Sequence, residues 1–209
     1  PIHQQHESLN SQTLLSSPQA QREGSLPLVI YLHGAGGVGD DLRKVRGQAG
    51  TVWKGIHKFD KGPCFLVAPQ CLKRGRDGGG WWPEHLNVLL EHLKATLPVD
   101  EQRIYLTGNS MGGYGCWAWG GDSPQHFAAI APVSGGIGAR GPKDVAPDLD
   151  TWIANLATVP VYAFAGSKDK VVPPQRSERA IAAIVEAGGK QALLKIYPDQ
   201  AHNARNVVY

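Results

Sequence analysis

The stretch LTGNSMGGY, residues 106–114, decides the fold, because it places the pattern Gly-x-Ser-x-Gly between a predicted strand and a predicted helix. The pattern alone also describes a flexible turn. A strand before it and a helix after it are typical of the sharp, strained turn that lifts a nucleophilic serine above a sheet edge. A side chain at Gly108 or Gly112 would crowd this turn, and the N-terminus of the following helix favours negative charge near the serine. The stretch therefore predicts Ser110 as a nucleophile.

Short apolar runs alternate with helical patterns on both sides of this stretch, from residue 26 onward. This rhythm is typical of a mostly parallel central sheet with crossover helices. We predict an α/β fold in three layers, with helices on both faces of the sheet. Strands are predicted at residues 28–32, 65–68, 103–107, 128–131, 161–165 and 192–197, and helices at 83–97, after Ser110, near Trp152 and at 174–187.

Composition sets limits on the class of protein. With 209 residues and 42% hydrophobic content, the chain is long enough to bury a core, and we predict a single domain over residues 1–209, with residues 1–25 as weak peripheral strands. The net charge is +3 and the basic residues are scattered, which argues against a nucleic-acid partner. No apolar stretch approaches the length of a membrane span.

The three cysteines, Cys64, Cys71 and Cys116, form no CxxC pair, and their odd number leaves at least one without an intrachain partner. We interpret them as buried thiols, and a disulfide among them stays open. No metal and no cofactor is predicted. The chain begins at Pro1 and its only Met is Met111, so the sequence makes no prediction about export or compartment.

A serine nucleophile needs a base, and the base needs an orienting carboxylate. Only His126 and His202 follow Ser110, and His202 lies after the last predicted strand, at the sheet edge where ligands gather. His126 is interpreted as a surface residue. Asp169 follows the fifth predicted strand at the same edge and is the preferred acid; Asp199 is a rival. The alternative for Asp169 is a loop ion pair with a neighbouring lysine.

Residues 33–37, HGAGG, follow the first predicted strand and fit the loop that completes an oxyanion hole. The expected donors are the backbone N–H groups of Ala35 and Met111. The same loop also matches the dinucleotide fingerprint G-x-G-x-x-G. That interpretation requires an acidic residue at the end of the next strand, where the sequence has Gln70, and Asp40 and Asp41 would repel a pyrophosphate.

Several segments together resemble compact esterases of the dienelactone hydrolase, phospholipase/carboxylesterase and polyhydroxybutyrate-depolymerase-like groups. The resemblance covers about residues 28–209 and is carried by residues 31–36, 68–71, 81–82, 107–115 and 166–173. It implies the α/β-hydrolase fold, with Ser110, Asp169 and His202 as triad.

The resemblance also implies Ala35 and Met111 as oxyanion donors, and it suggests that Trp81 or Trp82 lines the substrate pocket. We select Trp82 and Gly34 as substrate-binding candidates, and core packing is the alternative for the tryptophan pair. The segment before residue 26 has no match in these groups, and the chain stops at Tyr209, where relatives usually continue into a final helix.

The resulting hypothesis is hydrolysis of small or accessible carboxylic esters through an acyl-enzyme. A serine peptidase with the same triad is one alternative, and a silent binding module that retains the fold is another. The partner is a small-molecule ester, while acyl specificity and oligomeric state are not predicted.

Overall fold

The fold is seen in a computed structural model that describes residues 8–18, 24–59, 62–76, 79–138 and 141–209. The strands are β1 (Leu14–Ser16), β2 (Leu26–Leu32), β3 (Phe65–Ala68), β4 (Val99–Asn109), β5 (Ala129–Val133), β6 (Val161–Gly166) and β7 (Ala192–Tyr197). The helices are α1 (Leu42–Phe59), α2 (Pro83–Thr96), α3 (Met111–Asp122), α4 (Leu149–Trp152), α5 (Gln175–Glu186) and α6 (Arg205–Val208).

The strands form one seven-stranded sheet in the order β1-β3-β2-β4-β5-β6-β7. β1 pairs antiparallel with β3, and every other neighbouring pair in this order is parallel. Parallel strands are usually covered by helices on both faces of the sheet, so the side chains on both faces are buried. For this reason the sequences of β2 and β3 are nearly continuous apolar runs. The predicted α/β-hydrolase architecture is confirmed.

The two faces of the sheet are covered by different helices. Alternate residues of β2 and β3 point to opposite faces, so Tyr31 and Leu66 pack with Val45, Ala49 and Val52 of α1. Side chains one position along, including those of β4, pack in the larger cluster with α2, α3 and α5. The result is three layers, helix–sheet–helix, with the larger core on the α3 side.

Helix α1 is an element that the sequence analysis did not predict. Its apolar residues recur at helical spacing, at Leu42, Val45, Ala49, Val52 and Ile56, and this was the available signal. Glycines within the helix and the β-branched neighbours at 51 and 52 lower its intrinsic propensity. Packing on the sheet stabilises it instead.

The other differences concern boundaries. β4 begins at Val99, four residues before the predicted start, because Val99 pairs with Leu26 across an irregularity. β5 lies at Ala129–Val133, slightly later than predicted. In the N-terminal segment the structure has β1 and an isolated bridge between Leu9 and Cys71, while residues 1–7 and 19–23 lie outside the described residues.

All three cysteines lie within the described residues and carry free thiols. In the described part of the chain, no helix is both long enough and apolar enough to cross a bilayer. No cluster of three or more His, Cys, Asp or Glu side chains suited to a metal ion occurs there either.

Candidate active site

Ser110 occupies the turn between β4 and α3 in a conformation that is costly for a residue with a side chain. Its φ is 56° and its ψ is −117°. Its N–H donates to Val133 O at 2.9 Å, and its carbonyl accepts from Tyr114 N–H at 2.9 Å. Strain of this kind costs about 1–3 kcal/mol and persists only where the surroundings impose it. The turn therefore projects Ser110 from the carboxyl edge of the sheet.

Two glycines allow this turn because β2 passes very close to it. A Cβ on Gly108 would lie 2.6 Å from Leu32 O, and a Cβ on Gly112 would lie 1.9 Å from the same oxygen. Neither distance is compatible with a side chain. Both glycines are therefore required because the neighbouring strand β2 leaves no room for a side chain. Gly108 is also crowded within the turn itself, where its Cβ would lie 2.7 Å from Gly112 O.

A hydrogen-bonded chain connects the three side chains predicted from the sequence. His202 Nε2 lies 2.8 Å from Ser110 Oγ, and His202 Nδ1 lies 2.8 Å from Asp169 Oδ2. Asp169 follows β6, and His202 follows β7, so both residues come from the edge that carries Ser110. This arrangement is able to remove a proton from the serine hydroxyl and hold it on the imidazole.

The Asp169 carboxylate is held in its ionised form. Its side chain is fully buried, which by itself raises its pKa. The hydrogen bond to His202 and those from the Val172 and Val171 amides outweigh burial, so the pKa of Asp169 lies below its ordinary value. An ionised carboxylate beside Nδ1 fixes the proton on that nitrogen and leaves Nε2 free to accept from Ser110.

The rival acid and base have other surroundings. Asp199 is exposed and pairs with Lys168, whose Nζ lies 2.9 Å from its carboxylate. His126 ends a 3₁₀ turn before β5 and makes an edge-on contact with Phe127. Asp144, a third aspartate that follows Ser110 in the chain, is exposed and accepts the Arg76 N–H at 2.9 Å.

The loop after β2 lies directly beside the nucleophile turn. A Cβ on Gly34 would be 3.0 Å from Asn109 Nδ2 and 3.4 Å from Ser110 Cβ. Gly34 O accepts from Gly37 N–H at 2.9 Å and lies 2.7 Å from His33 Nδ1. Since a trans peptide points its N–H away from its C=O, these bonds set the direction of the Ala35 N–H.

The other predicted donor, the Met111 N–H, lies at the N-terminus of α3, where the first amides of a helix have no partner within the helix. In the loops and turns of the described residues, neither the Ala35 nor the Met111 N–H donates to a backbone carbonyl. Both amides thus have the character that an oxyanion site requires.

His33 is a buried imidazole that the sequence analysis did not single out. Its Nε2 accepts the Cys71 N–H at 3.0 Å, so Nδ1 carries the proton that is donated to Gly34 O. Burial lowers the pKa of His33 to about 4, against a smaller opposing effect of the Gly34 carbonyl. His33 is therefore neutral near pH 7 and holds the carbonyl of the Gly34–Ala35 peptide. Its place directly before the Gly-rich loop was the available sequence signal.

The glycine pattern that also fits a dinucleotide site is used internally. Gly37 N–H donates to Gly34 O, and Gly39 N–H donates to Cys71 O. Gln70, at the position where the dinucleotide fingerprint expects an acid, donates from Nε2 to Gly37 O and Asp41 O. These amides are occupied by protein, which leaves them unsuited to a pyrophosphate.

The two tryptophans suggested for the pocket differ in burial. Trp81 is fully buried, lies against Gly115 and donates from Nε1 to His33 O at 3.2 Å. Trp81 is therefore a core residue, which is the alternative given for it in the sequence analysis. Trp82 is half-buried at the start of α2, with its ring 6.1 Å from His85, and its role as a pocket residue stays a prediction.

The chain is similar to known proteins over more than half of its length. The family model described as the dienelactone hydrolase family matches residues 83–206, more than half of the chain. A relative from Aspergillus terreus, named "Probable feruloyl esterase C", is 26% identical over 169 residues, which are 79% of this chain and 62% of that protein. Feruloyl esterase C of Emericella nidulans is 28% identical over 111 residues, 53% of this chain and 40% of that protein.

Among solved structures, that of a thermostable esterase aligns with a TM-score of 0.72 and 28% sequence identity. The alignment covers 88% of this chain and 50% of that one. The chain spans about three fifths of the length of the first two Aspergillus relatives, 62% and 61%.

Proposed function

We propose that this chain, which belongs to the dienelactone hydrolase family, hydrolyses carboxylic esters through an acyl-enzyme formed on Ser110. The observation that carries the proposal is the unbroken hydrogen-bonded chain from Ser110 Oγ through His202 to the buried Asp169 carboxylate. Family membership and the named esterase relatives support the reaction class.

Acylation begins when Ser110 Oγ attacks the ester carbonyl carbon and His202 Nε2 accepts the hydroxyl proton. Asp169 keeps the Nδ1 proton in place and stabilises the imidazolium that forms. The carbonyl oxygen becomes an oxyanion, and the N–H groups of Ala35 and Met111 donate to it. The tetrahedral intermediate collapses, the carbon–oxygen bond to the alcohol breaks, and His202 delivers its proton to the departing alkoxide.

Deacylation repeats these steps with water. His202 Nε2 removes a proton from water, and the hydroxide attacks the acyl carbonyl carbon. The second tetrahedral intermediate collapses, and Ser110 Oγ leaves with the proton from His202. The carboxylic acid is released, and no metal or other cofactor takes part in this scheme. Accessible acyl esters are the proposed substrates, and Gly34 and Trp82 are the proposed contacts for them.

The first experiment tests the nucleophile. A fluorophosphonate probe is expected to label the wild-type chain once, and Ser110→Ala is expected to remove the label with the thermal stability retained. Ser11→Ala is the matched control, because it makes the same substitution in the exposed N-terminal segment. The neighbouring Asn109 is not suitable as a control, because its side chain accepts a hydrogen bond from Tyr31. Failure of the wild type to label would reject Ser110 as the nucleophile.

The second experiment tests the reaction class and acyl group. Turnover of p-nitrophenyl acetate is expected to exceed that of a peptide anilide, and a faster anilide would favour the peptidase alternative. A series of p-nitrophenyl esters with acyl chains of increasing length, together with methyl ferulate, then defines acyl preference. Methyl ferulate is included because several relatives are named as feruloyl esterases or probable feruloyl esterases.

A further inference from the structure

Arg205 begins α6, three positions after His202, and its side chain reaches across to α1. Its Nη1 donates to Gln48 Oε1 at 3.0 Å, a contact between residues 157 positions apart in the chain. Its Nε is buried and has no hydrogen-bond partner among the described residues. Arg205 also forms no ion pair with a described carboxylate. Partial burial of a guanidinium without a paired carboxylate costs free energy, so the position of Arg205 needs a physical explanation.

Gln48 links Arg205 to residues 33–39, which we call the oxyanion loop because they carry the proposed oxyanion donor Ala35. The same oxygen, Gln48 Oε1, accepts the Gly34 N–H at 2.9 Å. The amide nitrogen of Gln48 lies beneath the loop, 3.5 Å from the place where a Cβ on Gly36 would be. The Gly34 N–H is thus held by Gln48 and the Gly34 carbonyl by His33. A glycine, free to rotate otherwise, is restrained on both of its peptide groups.

Arg205 also lies near a residue that leads to the nucleophile turn. Burial raises the pKa of the Tyr31 hydroxyl, and the nearby positive charge of Arg205 opposes that rise. The Tyr31 hydroxyl donates in turn to Asn109 Oδ1 at 2.5 Å. Asn109 directly precedes Ser110. Arg205 therefore lies beside groups that lead to the oxyanion loop and to the nucleophile, and it begins the helix that follows the loop of His202.

We propose that Arg205 is a positioning residue. Through its hydrogen bond to Gln48 and its charge near Tyr31, it holds the loop of His202, the oxyanion loop and the turn of Ser110 in one geometry. The inference rests on the proposed function. It does not require that Arg205 touch the substrate. Charge-assisted hydrogen bonds are roughly twice as strong as neutral ones, which suits a cation to this role. Displacement of a donor by about 1 Å is enough to reduce turnover strongly.

The kinetic test uses Arg205→Met, which keeps the aliphatic stem and removes the guanidinium, and Gln48→Met, which removes the amide with little change in side-chain length. With p-nitrophenyl acetate, a neutral ester, kcat is expected to fall about tenfold in each, with KM changed less than twofold. Gln48→Glu keeps an oxygen acceptor for both donors and is expected to recover most of the rate. Arg43→Met removes an exposed arginine on α1 and serves as the matched control.

The double variant Arg205→Met with Gln48→Met tests whether the two residues act as one unit. Its kcat is expected to fall no further than that of the more impaired single variant. Multiplied losses would overturn the proposed coupling. An unchanged kcat in Arg205→Met would also overturn the positioning role. A rise in KM alone would overturn it as well, because that result is expected when a contact with the substrate is lost.

Hydrogen–deuterium exchange provides a measurement that does not depend on ester turnover. Peptides covering residues 33–39 are expected to exchange at least about fivefold faster in Arg205→Met and in Gln48→Met, while those covering 175–186 exchange as in the wild type. Unchanged exchange at 33–39 would overturn the inference. If the wild type hydrolyses no ester but this exchange pattern is found, the positioning role stands and the proposed function fails. If Arg205→Met does not fold, Gln48→Met alone decides.

Discussion

Asp169 accepts hydrogen bonds through both of its carboxylate oxygens. It accepts from His202 on one oxygen and from the Val171 and Val172 amides on the other. Because these bonds favour the ionised form, the pKa of the carboxyl is lowered in spite of its burial. The ionised carboxylate therefore fixes the tautomer of the proposed base, His202.

Asp169→Asn tests that role. The amide is nearly isosteric but can present an N–H to Nδ1 and so favour the wrong imidazole tautomer, and kcat is expected to fall about 10³- to 10⁴-fold. Steady-state kinetics with p-nitrophenyl acetate measure the loss. Asp199→Asn, at an exposed carboxylate paired with Lys168, is the control and is expected to stay within twofold of wild type. Equal effects of the two substitutions would contradict the assignment of the acid.

His33 leads to a prediction about pH and stability. Its pKa in the folded state is about 4, against 6.5 for a free imidazole, so the unfolded chain binds the proton more tightly. Below pH 6.5 this difference lowers the free energy of unfolding, and the loss is complete below about pH 4. A shift of this size corresponds to about 3 kcal/mol.

Urea unfolding at pH 7 and pH 4.5 measures this effect. The wild type is expected to lose about 2–3 kcal/mol between the two conditions from His33. His33→Asn keeps a donor near the Nδ1 position and is expected to remove most of that loss, with lower stability at pH 7 from lost packing on Trp81. His92→Asn, at an exposed site, is the control. An unaltered pH dependence in His33→Asn would contradict the prediction.

Among the elements, α3 is placed by close backbone approach. A Cβ on Gly112 would meet Leu32 O of β2 at 1.9 Å, and one on Gly113 would meet Val133 O of β5 at 2.3 Å. The helix start therefore sits in the groove between the two strands that flank β4. This proximity brings the positive end of α3 to Ser110.

Gly112→Ala is expected to destabilise the protein by about 3 kcal/mol or more, because neither the helix start nor β2 has room for a methyl group. Gly47→Ala, within α1, is the matched control: a Cβ there has nothing within 4 Å. It is expected to stabilise by about 0.5–1 kcal/mol through helix propensity. Urea unfolding measures both variants, and a neutral Gly112→Ala would show that the strands are not as closely packed as the structure has them.

At the scale of the whole molecule, the candidate site lies at the ends of the central strands, and the C-terminal residue packs against those strands. β2 and β4 are neighbours near the middle of the sheet and lead into the oxyanion loop and Ser110. Tyr209 folds back between α1 and the sheet, where its hydroxyl lies 2.7 Å from Thr107 Oγ1 and its ring meets Tyr31 edge-on. The C-terminal residues are thus part of the core on the α1 face.

We propose that the described residues unfold as a single cooperative domain, because one sheet connects both cores. Thermal unfolding followed by far-UV circular dichroism, by fluorescence of the buried Trp81, Trp117 and Trp119, and by loss of fluorophosphonate labelling is expected to show coincident midpoints. Two separated transitions would contradict the single domain predicted for residues 1–209.

Local sequence patterns predicted the strands near the site, the fold class, and Ser110 as the candidate nucleophile. Local periodicity reports which faces are buried, and the carboxyl ends of parallel strands meet at one edge. Those two facts were enough to predict that Asp169 and His202 lie near Ser110. The sequence signal for α1 was weaker, because packing rather than propensity stabilises that helix.

Contacts between distant segments show which acid lies beside His202, which tryptophan is part of the core, and which groups restrain the oxyanion loop. Asp169 and Asp199 are both close to strand ends, yet only Asp169 is buried against His202. Gln48 and Arg205 carry no local pattern that would predict their contact. Whether a hydrogen bond forms between segments far apart in the chain depends on differences of tenths of an ångström in their separation. The packing of helices on the sheet sets that separation.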